Sequence, residues 1–237
     1  MYNKVKSRSR VFTRKRHEKL YGGIIMDIIS KLREAKLVAI MRGIPVDKVK
    51  DTVEAMKKGG VYCCEVTFNQ KATDYSDTLK SIELIKDLFG DSVLVGAGTV
   101  LTVEQAKMAY EAGAAYMISP DINRAVIEKT KELGAISMPG AMTPTEIMTA
   151  WNYGADIVKL FPAGDLGIGY IKSISAPISH VPLVAVGGVN EKNAKDFLNA
   201  GCVGLGIGSG LANAKLVMSG EFDKITKIAE AYAEAVK

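Results

Sequence analysis

Lys159 is the residue of this sequence best suited to covalent chemistry. It lies in ADIVKLFPA (155–163), a run that otherwise has the composition of a buried parallel strand. Burial of an ammonium group is costly and lowers the pKa of a lysine. A lysine that is neutral near pH 7 is a nucleophile that forms Schiff bases with carbonyl compounds. The alternative is a lysine at a strand end whose ammonium group reaches water.

A carboxylate in another predicted strand is a natural partner for that chemistry. Glu65 lies in VYCCEVT (61–67). Strand alternation gives each residue a face in common with its neighbours two positions away, which are Cys63 and Thr67 for Glu65, and Ile157 and Phe161 for Lys159. If both faces point into one cavity, Glu65 can move protons beside a covalent intermediate. A structural ion pair of Glu65 with Lys159 or Arg42 is the alternative.

The elements that position these residues alternate regularly, with β-branched runs separated by helical patterns. The eight predicted strands are Leu37–Met41, Val61–Thr67, Val93–Gly98, Tyr116–Ser119, Ala135–Met138, Ile157–Phe161, Leu183–Val186 and Val203–Ile207. The predicted helices are Val46–Lys58, Tyr75–Phe89, Val103–Ala112, Ile122–Leu133, Pro144–Tyr153, Leu166–Ile174, Glu191–Ala200, Leu211–Met218 and Phe222–Val236. Eight such units predict an α/β fold, a (β/α)8 TIM barrel with Asp27–Ala35 as an extra N-terminal capping helix. A doubly wound open sheet is the alternative fold.

Catalytic groups of such barrels lie at the carboxyl ends of the strands. Besides Glu65 and Lys159, the polar or ring-bearing residues at these ends are Arg42, Thr99, Pro120, Thr143 and Phe161. We take them as candidates for contacts to a substrate. A Thr99 hydroxyl that bonds only to its own turn is the alternative for that residue.

Glycines follow the last two strands. Gly187 and Gly188 come after the seventh strand, and Gly208 and Ser209 come after the eighth. Loops at these places, together with the start of a short helix, often bind phosphate through backbone N–H groups. The segment Leu211–Met218 is predicted to be that helix. Tight backbone turns without a ligand are the alternative.

The net charge of +5 comes from one end of the chain. Residues 1–25 hold eight Lys or Arg and one Glu, which leaves 23 basic and 25 acidic residues in 26–237. We expect residues 1–25 to be a disordered basic extension ahead of a start at Met26, with a weak transit peptide as the alternative. Residues 26–237 are expected to be a single domain. The domain lacks the basic face of a nucleic-acid-binding fold and any run of about 18 apolar residues that would span a membrane. Three cysteines in apolar runs are typical of reduced thiols in a cytoplasmic protein.

Metal-assisted and serine- or cysteine-based mechanisms find little support in the sequence. The two histidines are His17, in the basic extension, and His180, which precedes the seventh strand. No cluster of His, Cys and carboxylate residues has the spacing of metal ligands, so we expect no metal. A Ser or Cys nucleophile would have no histidine to act as its base.

Six short motifs follow one another at the predicted strand ends. They are EVT (65–67), GAGTV (96–100), ISP (118–120), PG (139–140), KLFPA (159–163) and GGV (187–189). With these motifs, residues 26–237 resemble the bacterial 2-keto-3-deoxy-6-phosphogluconate / 4-hydroxy-2-oxoglutarate aldolases, which are class I, Schiff-base aldolases. The resemblance implies a homotrimer that needs no metal or organic cofactor.

The resemblance also implies roles for individual residues. Lys159 would form the imine with pyruvate or the keto acid, and Glu65 would be the general acid/base. Thr99 would contact the pyruvyl carboxylate, Phe161 would pack against the imine, and Arg42 would contact an anion. The cradle for the substrate phosphate would consist of Gly187, Gly188, Gly208 and Ser209.

Two positions depart from the pattern of the family. Asn69, a further candidate for a substrate contact, stands where many members have an arginine. An amide cannot give the bidentate, charge-assisted grip that arginine gives a carboxylate, and Arg42 is the alternative for that contact. Val186 stands where a threonine usually precedes the two glycines. The threonine hydroxyl would lie near the substrate chain. Its loss therefore bears on which configuration of the substrate's C4 hydroxyl the site accepts.

The predicted reaction is reversible cleavage of 2-keto-3-deoxy-6-phosphogluconate to pyruvate and glyceraldehyde 3-phosphate. A related reaction would cleave 4-hydroxy-2-oxoglutarate to pyruvate and glyoxylate. One alternative is a preference for 2-keto-3-deoxy-6-phosphogalactonate. Others are a phosphate-binding isomerase or synthase on the same barrel, and an oligomeric barrel without catalysis that serves as a scaffold.

Overall fold

A computed structural model describes residues 26–237, and the expectation of a disordered extension falls on residues 1–25, outside the described part. A helix, α1, covers residues 26–35. The strands that follow are β1 Leu37–Met41, β2 Cys63–Thr67, β3 Leu94–Gly98, β4 Tyr116–Ile118, β5 Ile136–Met138, β6 Gly140–Ala141, β7 Val158–Leu160, β8 Leu183–Val186 and β9 Cys202–Ile207. The further helices are α2 Val46–Lys58, α3 Ser76–Phe89, α4 Val103–Glu111, α5 Arg124–Glu132, α6 Pro144–Asn152, α7 Ala163–Ser175, α8 Ala194–Asn199, α9 Ala214–Met218 and α10 Phe222–Ala235.

All strand pairs are parallel, and the sheet runs β5-β4-β3-β2-β1-β9-β8-β7-β6. Its first and last members, β5 and β6, are separated along the chain by Pro139 alone. They are therefore two halves of the predicted fifth strand, because a proline interrupts a ladder by lacking an N–H. The backbone N–H groups of Asp156 and Lys159 donate to the carbonyls of Ser137 and Pro139, which closes the circle. The predicted TIM barrel is confirmed.

Strand alternation sorts the apolar side chains into two layers. An outer layer, which includes Ala39, Cys64 and Val66, packs under the surrounding helices. An inner layer fills the barrel and consists of Val38, Cys63, Tyr116, Ile118, Ile136, Met138, Ile157, Val184 and Val186. Leu32 of α1 joins this inner layer, so α1 covers the amino-terminal end of the barrel as predicted. Polar residues on the same inward faces, such as Glu65, lie towards the carboxyl-terminal end of the barrel.

Two helices begin later than the sequence pattern predicts, because a side chain caps the first turn. The Asn123 side chain accepts hydrogen bonds from Ala125 N and Val126 N, so α5 begins at Arg124. The Asn213 side chain does the same for Lys215 N and Leu216 N, which delays α9 to Ala214. Conversely, α7 begins at Ala163, earlier than predicted, and is interrupted at Gly167, whose φ is 79°.

Candidate active site

A cavity of about 630 Å³ opens at the carboxyl-terminal end of the barrel. Ten of the twelve residues predicted from the sequence line it, so residues far apart in the chain converge as expected. They are Arg42, Glu65, Thr99, Pro120, Lys159, Phe161, Gly187, Gly188, Gly208 and Ser209. Five further residues, which were not predicted as site residues, also line the cavity: Ile40, Val189, Asn190, Gly206 and Gly210.

Lys159 is the central residue of β7, paired in register with Gly140 on one side and Val184 on the other. Its position in mid-strand does not fit the alternative of a strand-end lysine that reaches water. Burial lowers the pKa of Lys159, the positive charge of Arg42 acts in the same direction, and Glu65 opposes both. The ammonium nitrogen lies 4.9 Å from the centre of the Phe161 ring. A larger share of this lysine is therefore neutral near pH 7 than of an exposed one.

Glu65 is the central residue of β2 and is 2 % exposed. Burial raises the pKa of its carboxyl group to about 7, against the opposing charges of Lys159 and Arg42. Within residues 26–237, Oε2 of Glu65 has no hydrogen-bond partner, and no ion pair of 4.0 Å or less joins Glu65 to Lys159 or Arg42. The ion-pair alternative therefore does not describe this carboxyl group. Near neutral pH it can both accept and donate a proton.

Two glycines of β3 leave space for the Glu65 carboxyl group and for the ring of Tyr116. A Cβ atom at Gly98 would lie 2.5 Å from Oε2 of Glu65, and one at Gly96 would lie 2.2 Å from the Tyr116 ring. The Tyr116 hydroxyl donates a 2.6 Å hydrogen bond to the Cys64 carbonyl. The G-A-G spacing of β3 thus lets an aromatic ring and a carboxyl group stack inside the barrel. The sequence alone does not reveal this role of Tyr116, because it depends on the register of β4 against its neighbouring strands.

Thr99 directly follows β3 and has a φ of 58°, in the left-handed region. Its carbonyl accepts a 2.8 Å hydrogen bond from Nε2 of Gln70. In the part of the chain that the structure describes, neither its hydroxyl nor its N–H takes part in a hydrogen bond. The alternative of a hydroxyl bonded to its own turn is therefore not what the structure shows. Both donors lie at a cavity wall, where an anionic group of a ligand can accept from them.

The loop of Gly187 and Gly188 approaches the start of α7 closely. Gly164 N donates a 2.8 Å hydrogen bond to Gly187 O, and a Cβ at Gly164 would lie 2.7 Å from Gly188 Cα. Nδ2 of Asn193 donates to Gly188 O at 2.9 Å. Both glycine carbonyls are thus held from outside the cavity. This leaves the cavity side of the loop to backbone N–H groups and Cα atoms, which suits an anion.

Two predicted residues are not brought into the cavity. The Thr143 hydroxyl accepts from Glu146 N in a capping box at the start of α6. Asn69 is exposed, its Oδ1 accepts from Lys71 N, and it lines a separate cavity of about 330 Å³ beside the first. The structure supplies local structural reasons for both side chains, and a contact of either with substrate stays a prediction.

Two further observations concern residues 26–237 as a whole. No group of three or more His, Cys, Asp or Glu side chains among them is arranged to hold a metal ion. None of the helices described is long and apolar enough to cross a membrane.

A closed barrel with a half-buried lysine and a buried carboxyl group at its carboxyl-terminal end has the groups that enzymes working through Schiff bases need. Comparison with known proteins gives the family. Residues 28–228 match the family described as KDPG and KHG aldolase, and this chain belongs to that family.

Individual relatives agree on the family and differ in substrate. The chain is 35% identical over 202 residues to 2-dehydro-3-deoxy-6-phosphogalactonate aldolase of Escherichia coli K12, covering 85% of this chain and 96% of that one. It is 32% identical over 201 residues to KHG/KDPG aldolase of the same strain, covering 82% and 90%. The solved structure of KDPG aldolase from Legionella pneumophila, with pyruvate captured as a covalent carbinolamine, superposes with a TM-score of 0.76 at 27% identity. That match covers 83% of this chain and 93% of that chain.

Proposed function

We propose that this protein is a class I aldolase that cleaves a 2-keto-3-deoxy-6-phospho sugar acid to pyruvate and glyceraldehyde 3-phosphate through an imine on Lys159. The observation behind this proposal is that Lys159 and Glu65 line one cavity, in which Oε2 of Glu65 has no hydrogen-bond partner among residues 26–237. Burial lowers the pKa of Lys159 and raises that of Glu65 to about 7, which agrees with this chemistry. The covalent carbinolamine of the Legionella pneumophila relative supports the same chemistry.

The neutral Lys159 amine attacks the C2 carbonyl and gives a carbinolamine. With a proton from Glu65, the carbinolamine loses water and forms a protonated imine, which leaves Glu65 as a carboxylate. The imine nitrogen then accepts the electron pair of the C3–C4 bond as this bond breaks. Glu65 takes the proton of the C4 hydroxyl, directly or through water, so that the aldehyde leaves as C4=O. The same carboxyl group returns a proton to C3 of the enamine, and water releases pyruvate from Lys159.

The other lining residues would orient the substrate for these steps. The hydroxyl and N–H of Thr99 would bind the pyruvyl carboxylate, and Arg42, which lines the same cavity, would add a positive charge. The Phe161 ring lies against Lys159, and Pro120 lines the same cavity. The loops of Gly187, Gly188, Gly208 and Ser209 would bind the phosphate at the far end of the substrate.

The configuration at C4 has two candidates. The sequence resemblance predicts the gluconate isomer. Val186, however, is a cavity wall without a hydrogen-bonding group, and the Escherichia coli relative at 35% identity is a galactonate enzyme. The galactonate isomer is therefore the second candidate. The ratio of kcat/KM for the two isomers, measured for the native protein and for Val186→Thr, separates them, because an added hydroxyl would shift the ratio only if this wall faces the C4 substituent.

Trapping with borohydride tests the mechanism. The protein is incubated with pyruvate, reduced, digested and mapped by mass spectrometry. A reduced pyruvyl adduct on Lys159 is the expected result. Well-folded protein without an adduct would remove the Schiff-base mechanism and favour an isomerase, a synthase or a scaffold. The homotrimer, the cytoplasmic location and the independence from cofactors stay predictions, and analytical ultracentrifugation tests the first of them.

A further inference from the structure

The backbone of Thr99 needs support from its surroundings. A β-branched residue in the left-handed region, such as Thr99 with its φ of 58°, is an outlier that costs conformational energy. Such a conformation persists when the surrounding structure holds it in place. At this position the flanking groups are tied by hydrogen bonds, from Phe68 N to Gly98 O and from Val100 N to Ile118 O. The carbonyl of Thr99 itself is held by a side chain, that of Gln70.

The direction of this hydrogen bond is fixed by a relay of two amides, of which Gln105 is buried and Gln70 is exposed. Gln105 is 1 % exposed, and its Oε1 accepts from Leu101 N at 2.7 Å and Thr102 N at 3.2 Å at the start of α4. Its Nε2 must therefore point away, and it donates to Oε1 of Gln70 at 3.1 Å. With Oε1 occupied in this way, Gln70 presents Nε2 to Thr99 O at 2.8 Å. Each amide has one orientation that satisfies the network.

We propose that Gln70 is a positioning residue that holds Thr99 in the conformation that directs its N–H and hydroxyl at the carboxylate of the bound keto acid. This inference rests on the proposed function. Gln70 lies in the loop that follows β2, three residues beyond the end of the strand that carries Glu65. The relay therefore joins the loop after the general acid/base strand to the loop that would bind the carboxylate. The strands position the reacting groups, Lys159 and Glu65. The relay positions Thr99, and so sets the distance between the substrate carboxylate and those groups.

The experiment measures borohydride trapping over a range of pyruvate concentrations, which separates half-saturation from the rate at saturation. In Gln70→Ala the half-saturating pyruvate concentration should rise about 3- to 10-fold, the value of one hydrogen bond. In Gln70→Glu the rise should be larger, because a carboxylate would face the Thr99 carbonyl oxygen without a hydrogen to share. The trapping rate at saturation should stay within about 2-fold of the native rate in both variants, since Lys159 is untouched.

Two controls separate positioning from a general effect on the loop. Thr73→Ala changes an exposed residue of the same loop and should leave half-saturation unchanged. Thr99→Gly removes the strain, because glycine adopts a positive φ at little cost. In that background the effect of Gln70→Ala should fall below about 2-fold, because the hydroxyl is gone and glycine keeps a positive φ without support from Gln70. An effect of undiminished size in the Thr99→Gly background would overturn the positioning role.

The other possible results of the trapping experiment distinguish a wrong role for Gln70 from a wrong proposed function. If the native protein forms the adduct and both Gln70 variants saturate like it, the inference is wrong while the proposed function stands. If the native protein forms no adduct, the proposed function fails and the inference fails with it. Circular dichroism and thermal unfolding of each variant show whether it is folded. If Gln70→Ala does not fold, Gln105→Glu breaks the same relay, because it keeps the acceptor for Leu101 N and Thr102 N and loses the donor to Gln70.

Discussion

Two lysine–carboxylate couples, one just before β7 and one in it, differ in hydrogen bonding and in the distance between the charges. Near the amino-terminal end, Lys131 Nζ lies 2.6 Å and 2.7 Å from the carboxylate oxygens of Asp156, which also accepts from Ser137 N at 2.9 Å. Three residues further along the chain, Lys159 shares the cavity with Glu65, without an ion pair of 4.0 Å or less among the described residues. The first couple is a closed pair, with the two charges in direct contact, and the second is open, with the two groups apart.

The difference shows what keeps a buried charge reactive. A carboxylate that accepts from an ammonium group and from a backbone N–H has its lone pairs in use and gains stability from them. Glu65 has neither kind of bond on Oε2, so desolvation is the largest influence on its pKa. The same influence dominates the pKa of Lys159. The Lys131–Asp156 couple stabilises the barrel, whereas the Lys159–Glu65 couple is set up to exchange protons and bonds.

The most severe test of this contrast replaces each lysine in turn. Lys159→Met removes the nucleophile, so no pyruvyl adduct should form and turnover should fall at least about 10⁴-fold. Lys131→Met is the matched control. It should keep turnover within about 3-fold and lose about 1–3 kcal/mol of unfolding free energy, because Asp156 is left without its charged partner. Borohydride trapping, a coupled pyruvate assay and urea unfolding measure these quantities. An adduct in Lys159→Met, or loss of turnover in well-folded Lys131→Met, would contradict the assignment.

The carboxylates give the next largest effect. Glu65→Gln keeps the shape of the side chain and removes its acid/base function, so turnover should fall by about 10²–10⁴-fold. The exchange of the methyl hydrogens of pyruvate for deuterium in D₂O should slow by a similar factor, since it reports proton transfer at the enamine. Asp156→Asn should leave both rates within about 3-fold of native. Equal losses in the two variants would mean that Glu65 has no special part in proton transfer.

The space around Glu65 gives a smaller but sharper test. In Gly98→Ala the new methyl group would lie 2.5 Å from Oε2, so the carboxyl group must move. A displacement of about 1 Å at a reacting group costs up to about 100-fold in rate, and we expect a loss of 10- to 100-fold. Gly169→Ala is the control, because a Cβ there has open space around it. Steady-state kinetics of both variants settle the point, and native kinetics in Gly98→Ala would mean that this close contact does not hold Glu65 in place.

Much of this arrangement follows from the sequence. The alternation of β-branched runs and helices predicted the barrel, and alternation within β2 and β7 predicted that Glu65 and Lys159 face one cavity. These predictions succeed because a parallel strand covered on both faces leaves a charged residue few places to point. The six motifs predicted the family, which the match over residues 28–228 confirms.

Other features depend on contacts between elements and were beyond the sequence. The amide relay joins Gln105, in the first turn of α4, to Gln70, in the loop 35 residues earlier in the chain. The placement of Tyr116 beneath Glu65 depends on the register of β2, β3 and β4. Thr143 looked like a cavity residue because it follows a strand end, yet the capping box of α6 engages its side chain. A threonine two residues beyond a strand end has the same appearance whether it caps a helix or binds a ligand.

The finest test concerns the dependence of stability on pH. Burial raises the pKa of Glu65 from 4.5 to about 7 in the folded protein, so the folded state keeps a proton that the unfolded state has released between these values. Because the folded state binds more protons there, the unfolding free energy must fall as pH rises from about 4.5 to 7. Measured against Glu65→Gln, which has no such proton, the decrease should be about 3 kcal/mol and should level off above pH 7 to 8. Urea unfolding of the two proteins from pH 4 to 9 gives this difference.

The same measurement in a third protein identifies the neighbour that opposes burial. The positive charge of Lys159 favours the ionised form of Glu65, so Lys159→Met should move the falling limb to higher pH. Loss of the closed pair in Lys131→Met should lower the whole curve without moving that limb, since Lys131 takes no part in setting the pKa of Glu65. A limb that moves equally in both variants would mean that Glu65 responds to the net charge of the protein rather than to Lys159.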